Sequence, residues 1–100
     1  MRSIYKNVPS NQIEKQKRYL YGSIIDLLYK KEEGYPLLDS RIQTLINQVI
    51  GSNALFDFQV EILTIAAFLE TARKEPSQFR KCILDAANLI DTLKGGGCNV

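Results

Sequence analysis

Four runs of apolar residues recur at every third or fourth position, and no stretch of useful length alternates with period two. A chain patterned this way builds helices that each bury one stripe, and it has no strand to offer a sheet. The punctuation between the runs agrees. Glycine, proline, serine and asparagine interrupt the periodicity three times and leave connections of roughly two to six residues. Short links between amphipathic helices favour antiparallel neighbours, so the expected fold is all-α, an antiparallel up-down four-helix bundle.

The first run predicts a helix over about 11–33, with Ile13, Leu20, Ile24 and Leu27 as its stripe and Tyr21, Ile25 and Leu28 widening it. Asn11 followed by Glu14 fits a capping box. Gly34 fits a left-handed C-terminal residue. Gly22 lies inside the helix at a cost of about 1 kcal/mol relative to alanine, which close approach of another helix would explain.

The second run predicts a helix over about 37–50, with Leu38, Ile42, Leu45 and Val49 as its stripe, broadened by Ile46 and Ile50. Pro36 suits its first turn and Asp39 is a competing cap. Gly51-Ser52-Asn53 stops it. The third helix, about 57–74, carries Phe58, Ile62, Ile65, Leu69 and Ala72, with Val60, Leu63, Ala66 and Ala67 making most of its circumference apolar. A helix this apolar is expected to pack on several sides, and four short helices leave some of it for self-association as a homodimer. Phe68 falls on its narrow polar strip, either covered by a loop or exposed as an aromatic anchor. Glu75-Pro76-Ser77 opens the fourth helix, about 77–94, with Phe79, Ile83, Ala86, Ile90 and Leu93 as its stripe. An arm over 1–10 and a glycine-rich tail over 95–100 complete one domain.

Composition narrows the function. With 45% hydrophobic and 24% charged residues, the 100-residue chain reads as a globule rather than a disordered segment. Histidine is absent, which removes the commonest general base, Cys-His and Ser-His pairs, and histidine metal ligands. Glycines cradle no phosphate, because the Gly95-Gly96-Gly97 cluster precedes no helix. The reading is therefore non-enzymatic, with no cofactor and no metal. Nucleic acid is not expected as a partner: a helix-turn-helix over 36–74 would present an apolar second helix carrying Glu61 and Glu70. The N-terminus lacks the apolar core of a secretory signal, and the apolar run at 62–69 falls far short of the ~20 residues of a membrane span. A cytoplasmic location follows as the expectation, with Cys82 and Cys98 as reduced thiols.

Charge is uneven. Residues 1–31 carry seven basic side chains against Glu14 and Asp26, net +5, whereas residues 32–100 are net −3. All five tyrosines (Tyr5, Tyr19, Tyr21, Tyr29, Tyr35) fall in the same region. Tyrosine beside lysine and arginine makes either an interaction patch facing a protein or the inner membrane surface, or an ordinary solvated face with Tyr21 and Tyr35 at the core edge. Candidate partner-binding residues are Phe68, Tyr19, Tyr29, Lys15 and Arg18, with Lys94 in the tail.

The central stretch adds a resemblance. Pro36-Leu37, Arg41-Ile42, the apolar helix through Leu45-Ile46 and Val49-Ile50, and the turn containing Asn53 come first. Phe56 or Phe58, then Gln59, and the helix through Ile62-Leu63, Ile65 and Leu69 follow. Over about 40 residues this resembles the small immunity proteins that lactic-acid bacteria and streptococci make against their own pediocin-like bacteriocins. Two departures accompany it: one helix rather than two fits before Pro36, and a further helix over Phe79–Leu93 follows. The resemblance implies a cytosolic antiparallel bundle that protects its producer without catalysis. Such proteins lock onto the mannose-phosphotransferase permease once bacteriocin has engaged it, with specificity in the C-terminal half. A helical antitoxin, an immunity protein to another toxin, or a regulatory adaptor is the alternative from the residues alone.

Overall fold

The computed structural model describes residues 10–93, and they form four α-helices with no strand among them. The helices are α1 (Ser10–Glu32), α2 (Leu38–Ile50), α3 (Gln59–Lys74) and α4 (Phe79–Thr92); 3-10 segments over Asn53–Phe58 and Pro76–Gln78 precede α3 and α4. Each helix packs against its sequence neighbours, and α4 returns to α1 to close the ring, while the diagonal pairs α1/α3 and α2/α4 stay apart. This is the antiparallel up-down bundle that the spacing predicts.

The core follows the stripes. Leu20, Ile24 and Leu27 of α1, Ile42 and Val49 of α2, Ile65 and Leu69 of α3, and Ile83 and Ile90 of α4 are all but inaccessible to solvent. Helix spacing puts each set on one side of its cylinder, so four stripes meet on one axis.

Local endings have local causes. After α1 the chain reverses through Gly34 at φ +72°. The Tyr35 N–H donates to the Lys30 carbonyl at 3.0 Å and the Gly34 N–H to the Lys31 carbonyl at 3.1 Å. Those two bonds satisfy carbonyls that the helix end leaves open, in the Schellman arrangement. The Lys30 ammonium also sits 5.0 Å from the Tyr35 ring centre, a contact across the same turn.

Several expectations need correction. Asn11 lies within α1 rather than capping it, because the helix begins by Ser10, and Glu14 pairs with Lys17 instead. Pro36 precedes Leu37, the residue before the first α2 position, so it shapes the turn rather than the first helical turn. The α3 start moves from Asp57 to Gln59, because Asn53–Phe58 forms its own 3-10 segment and drives Leu55 fully into the core. Gly22 makes no close approach: a Cβ built there meets nothing within 4 Å. Helix α3 packs against α2 and α4, as its apolar circumference leads one to expect, but leaves one side open. Val60 and Leu63 are 75% and 58% exposed, and Ala67 is exposed with them. Ile50 and Tyr21 also turn outward.

Candidate functional site

The α1 stripe is broken by one polar residue. Lys17 lies four residues after Ile13 and three before Leu20, hence on the buried side of the helix, and it is only 9% exposed. Its ammonium donates to the Leu93 carbonyl and to the Glu14 carboxylate, the latter at 3.2 Å. Leu93 follows the last α4 residue, so Lys17 supplies a cation and a donor to the end of a helix whose carbonyls lack partners. Lys17, one of the seven basic residues of the first 31, is thereby withdrawn from solvent and forms the bolt between α1 and α4. Its spacing carried the signal, since the positions 13, 17, 20, 24 and 27 form one series.

Opposite that stripe, Lys15, Arg18, Tyr19, Gly22 and Tyr29 share the outward face of α1 by their spacing. Lys15 and Arg18 are exposed, and Tyr19 and Tyr29 are 55% and 62% exposed. Gly22, between the two tyrosines, adds no side chain, and Asp26 one turn further on pairs with Lys30 and Arg41. Four of the predicted contact residues are thus brought together on one helix. Phe68 is not with them. It is half-buried, packs against the core, and belongs to α3, which does not touch α1. Phe68 is thus partly buried against the helical core rather than held out as an exposed anchor. Lys94 lies outside the described residues.

Beside Tyr19 a cleft runs between α1 and α2. One part is lined by Ser23, Arg41, Thr44 and Gln48 over Leu27 and Leu45. It continues past Tyr19 to Gln16, Asn47, Ser52 and Asn53. The Ser52 hydroxyl is buried there without a hydrogen-bond partner. Amides and hydroxyls that both donate and accept suit a peptide main chain better than a charged small molecule. Charge gathers at the far end of the α1/α2 pair, where Asp26 lies 3.5 Å from Lys30 and 4.0 Å from Arg41.

A second charged cluster ties α2 to α3. Arg73 reaches Glu70 at 2.6 Å and Asp39 at 3.3 Å, and Lys74 reaches Glu70 at 3.4 Å. The hydrogen bond from Arg73 holds Glu70 below the ordinary carboxylate range, and Glu70, with Asp39, raises Arg73 in turn. On α4 the hydrogen bond to Asp85 raises Lys81. The pairs within α3 and α4 lie one helical turn apart, and of these contacts only Arg73–Asp39 crosses from one helix to another.

Among the described residues no group of three His, Cys, Asp or Glu side chains is placed to hold a metal ion, and no helix is long and apolar enough to cross a membrane. Cys82 is a buried free thiol. Comparison with known proteins finds no matching family model, no matching curated protein and no matching solved structure.

Proposed function

We propose that the protein is a non-catalytic immunity protein that shields a producing bacterium from a pediocin-like bacteriocin. It acts at the cytosolic side of the membrane by binding the receptor permease that the bacteriocin has engaged. The observation that carries this reading is the hairpin from Pro36 to Leu69. The residues of the resemblance form one continuous unit, α2, the 3-10 segment and most of α3, within an antiparallel helical bundle of the kind the resemblance implies.

The outward face of α1 gives the reading a contact surface. Tyr19 and Tyr29 offer apolar rings with polar tips, and Lys15 and Arg18 add positive charge suited to an anionic membrane surface or an acidic protein loop. Next to Tyr19, the polar cleft adds hydrogen-bonding groups for a partner's main chain.

The test is protection. Expression in a bacteriocin-sensitive strain is expected to raise the inhibitory concentration of at least one pediocin-like peptide tenfold or more. The double variant Tyr19→Ala/Tyr29→Ala is expected to reduce that protection while remaining folded. Unchanged killing across a panel of such peptides overturns the proposal. Recovery of a stoichiometric cytosolic enzyme, rather than permease subunits, on affinity capture turns the assignment toward an antitoxin or adaptor.

A further inference from the structure

Two polar rows border the cleft between α1 and α2. On α1 the row is Gln16, Tyr19 and Ser23, and the same spacing carries it on to Asp26 and Lys30. On α2 the row is Arg41, Thr44 and Gln48. Positions three and four apart share a helix face, so each row is continuous. Among the described residues, the side chains of Tyr19, Ser23, Thr44 and Gln48 make no hydrogen bond within the protein, whereas Thr64 on α3 donates back to the Val60 carbonyl.

Charge and size indicate the ligand. Arg41 is the one charged side chain among the described residues lining the cleft. It is half exposed and meets the Asp26 carboxylate at 4.0 Å, beyond hydrogen-bond distance, while Asp26 lies closer to Lys30, at 3.5 Å. Arg41 thus keeps its planar fork of donors open, a shape that suits a carboxylate. The neighbouring Asp26 disfavours a doubly charged phosphate. The recess beside Arg41 has a volume of about 50 Å³. With ~30 Å³ as one water's share of the liquid, that admits a carboxylate and no bulky side chain. Past Gln48 the cleft widens to about 500 Å³. The Asp26–Lys30–Arg41 cluster stands one helical turn beyond Ser23, so a chain lying in the cleft ends at the recess.

We infer that the inner end of this cleft binds the carboxyl terminus of a partner protein, with the carboxylate on Arg41 and the last residues extended past Gln48 and Tyr19. From Arg41 to Gly51 α2 rises ~15 Å at ~1.5 Å per residue. That length takes roughly four or five extended residues at ~3.3 Å each. The uncharged amides and hydroxyls along it pair with main-chain N–H and C=O groups whatever side chains the partner carries. The inference rests on the cleft as a partner-contacting surface. Protection of cells tests the immunity reading and peptide binding tests this one, so either can fail alone.

The probe is an acetylated alanine–serine pentapeptide with a free carboxyl end, titrated to about 10 mM into the isotope-labelled full chain and followed by two-dimensional NMR. The same peptide amidated at that end is the comparison. The free acid is expected to give saturable shifts at Ser23, Thr44, Gln48 and the Arg41 side chain. The amide is expected to bind about tenfold more weakly, the loss of one charge-assisted contact. Arg41→Gln is expected to remove that difference and leave the thermal midpoint unchanged, since Arg41 is exposed and makes one long contact. Asp26→Asn, which takes away the competing carboxylate, is expected to tighten the free acid about threefold. No saturable shift by the end of the titration overturns the inference, as does equal binding of acid and amide, or a preference for the acid that survives Arg41→Gln. An amidated peptide with an internal glutamate that binds as tightly as the free acid overturns the assignment to a chain terminus. Inorganic phosphate binding more tightly than the peptide overturns the choice of a carboxylate.

Discussion

Replacing Lys17 by methionine removes the charge and three donors while keeping an apolar stem of similar length. The ammonium donates to the Leu93 carbonyl at the end of α4 and to Glu14 on its own helix. A hydrogen bond from a charged group contributes about 1.5–3 kcal/mol. A cation at a helix C-terminus contributes about 0.3–1 kcal/mol, and an exposed pair such as that with Glu14 under about 1 kcal/mol. Relief of the desolvation that the buried ammonium suffers opposes these gains. The balance gives Lys17→Met a loss of about 2 kcal/mol. For a domain of this size that lowers the thermal midpoint by roughly 8–16 °C. Thermal unfolding at pH 7, followed by far-ultraviolet circular dichroism and repeated as a urea titration, reads the effect. Glu14→Gln is expected to cost under about 1 kcal/mol, and Lys15→Met, on the solvent side of the same turn, to change little. If Lys17→Met is within about 0.5 kcal/mol of the parent, or more stable, the ammonium's contacts merely offset its burial and the bolt between α1 and α4 does not exist.

Gly22→Ala is expected to stabilise the fold by about 0.5–1 kcal/mol, since the added methyl meets nothing within 4 Å in a helix interior; a lower thermal midpoint refutes that. Gly34→Ala is expected to destabilise by about 1–2 kcal/mol, because φ +72° crowds a Cβ; urea unfolding checks it. Leu55→Ala is expected to cost about 2–4 kcal/mol, as a fully buried side chain, whereas Leu63→Ala at an exposed site stays within about 0.5 kcal/mol. Stability is expected to fall on acidification through the Glu70 carboxylate. Its folded value lies below the ordinary 4.5, so its contribution is complete above that pH and is lost as pH drops through the lower folded value. Urea midpoints measured from pH 5.5 to 3 are expected to decline less steeply in Glu70→Gln, and an identical slope in both proteins removes this role.

The four helices were legible because their stripes are long and regular: Leu20, Ile24 and Leu27, or Ile83, Ala86 and Ile90, admit one reading. The short Asn53–Phe58 segment was not. Gly51-Ser52-Asn53 reads as a stop, and one leucine, Leu55, carries no periodicity, so its full burial depends on the helices around it. In α3 nearly every face is apolar, and sequence alone does not say which one α2 and α4 cover. They cover Ile62, Ile65 and Leu69, leaving Val60 and Leu63 outside and half-burying Phe68. Gly22 invited a packing explanation that its open surroundings do not support. The clustering of Lys15, Arg18, Tyr19 and Tyr29 on one face followed from spacing. The burial of Lys17 among them was equally readable, but a lysine in a basic region is easily assigned to solvent.

The link from Lys17 to Leu93 spans 76 positions of the chain. At about 5–20 residues per second, a ribosome needs roughly 4–15 s to make the second partner after the first. Throughout that interval the side of α1 that α4 will cover has no partner. Completion of the ring is thus timed by translation of its last helix, and a message cut short before codon 93 yields a product whose first helix has nothing to close against.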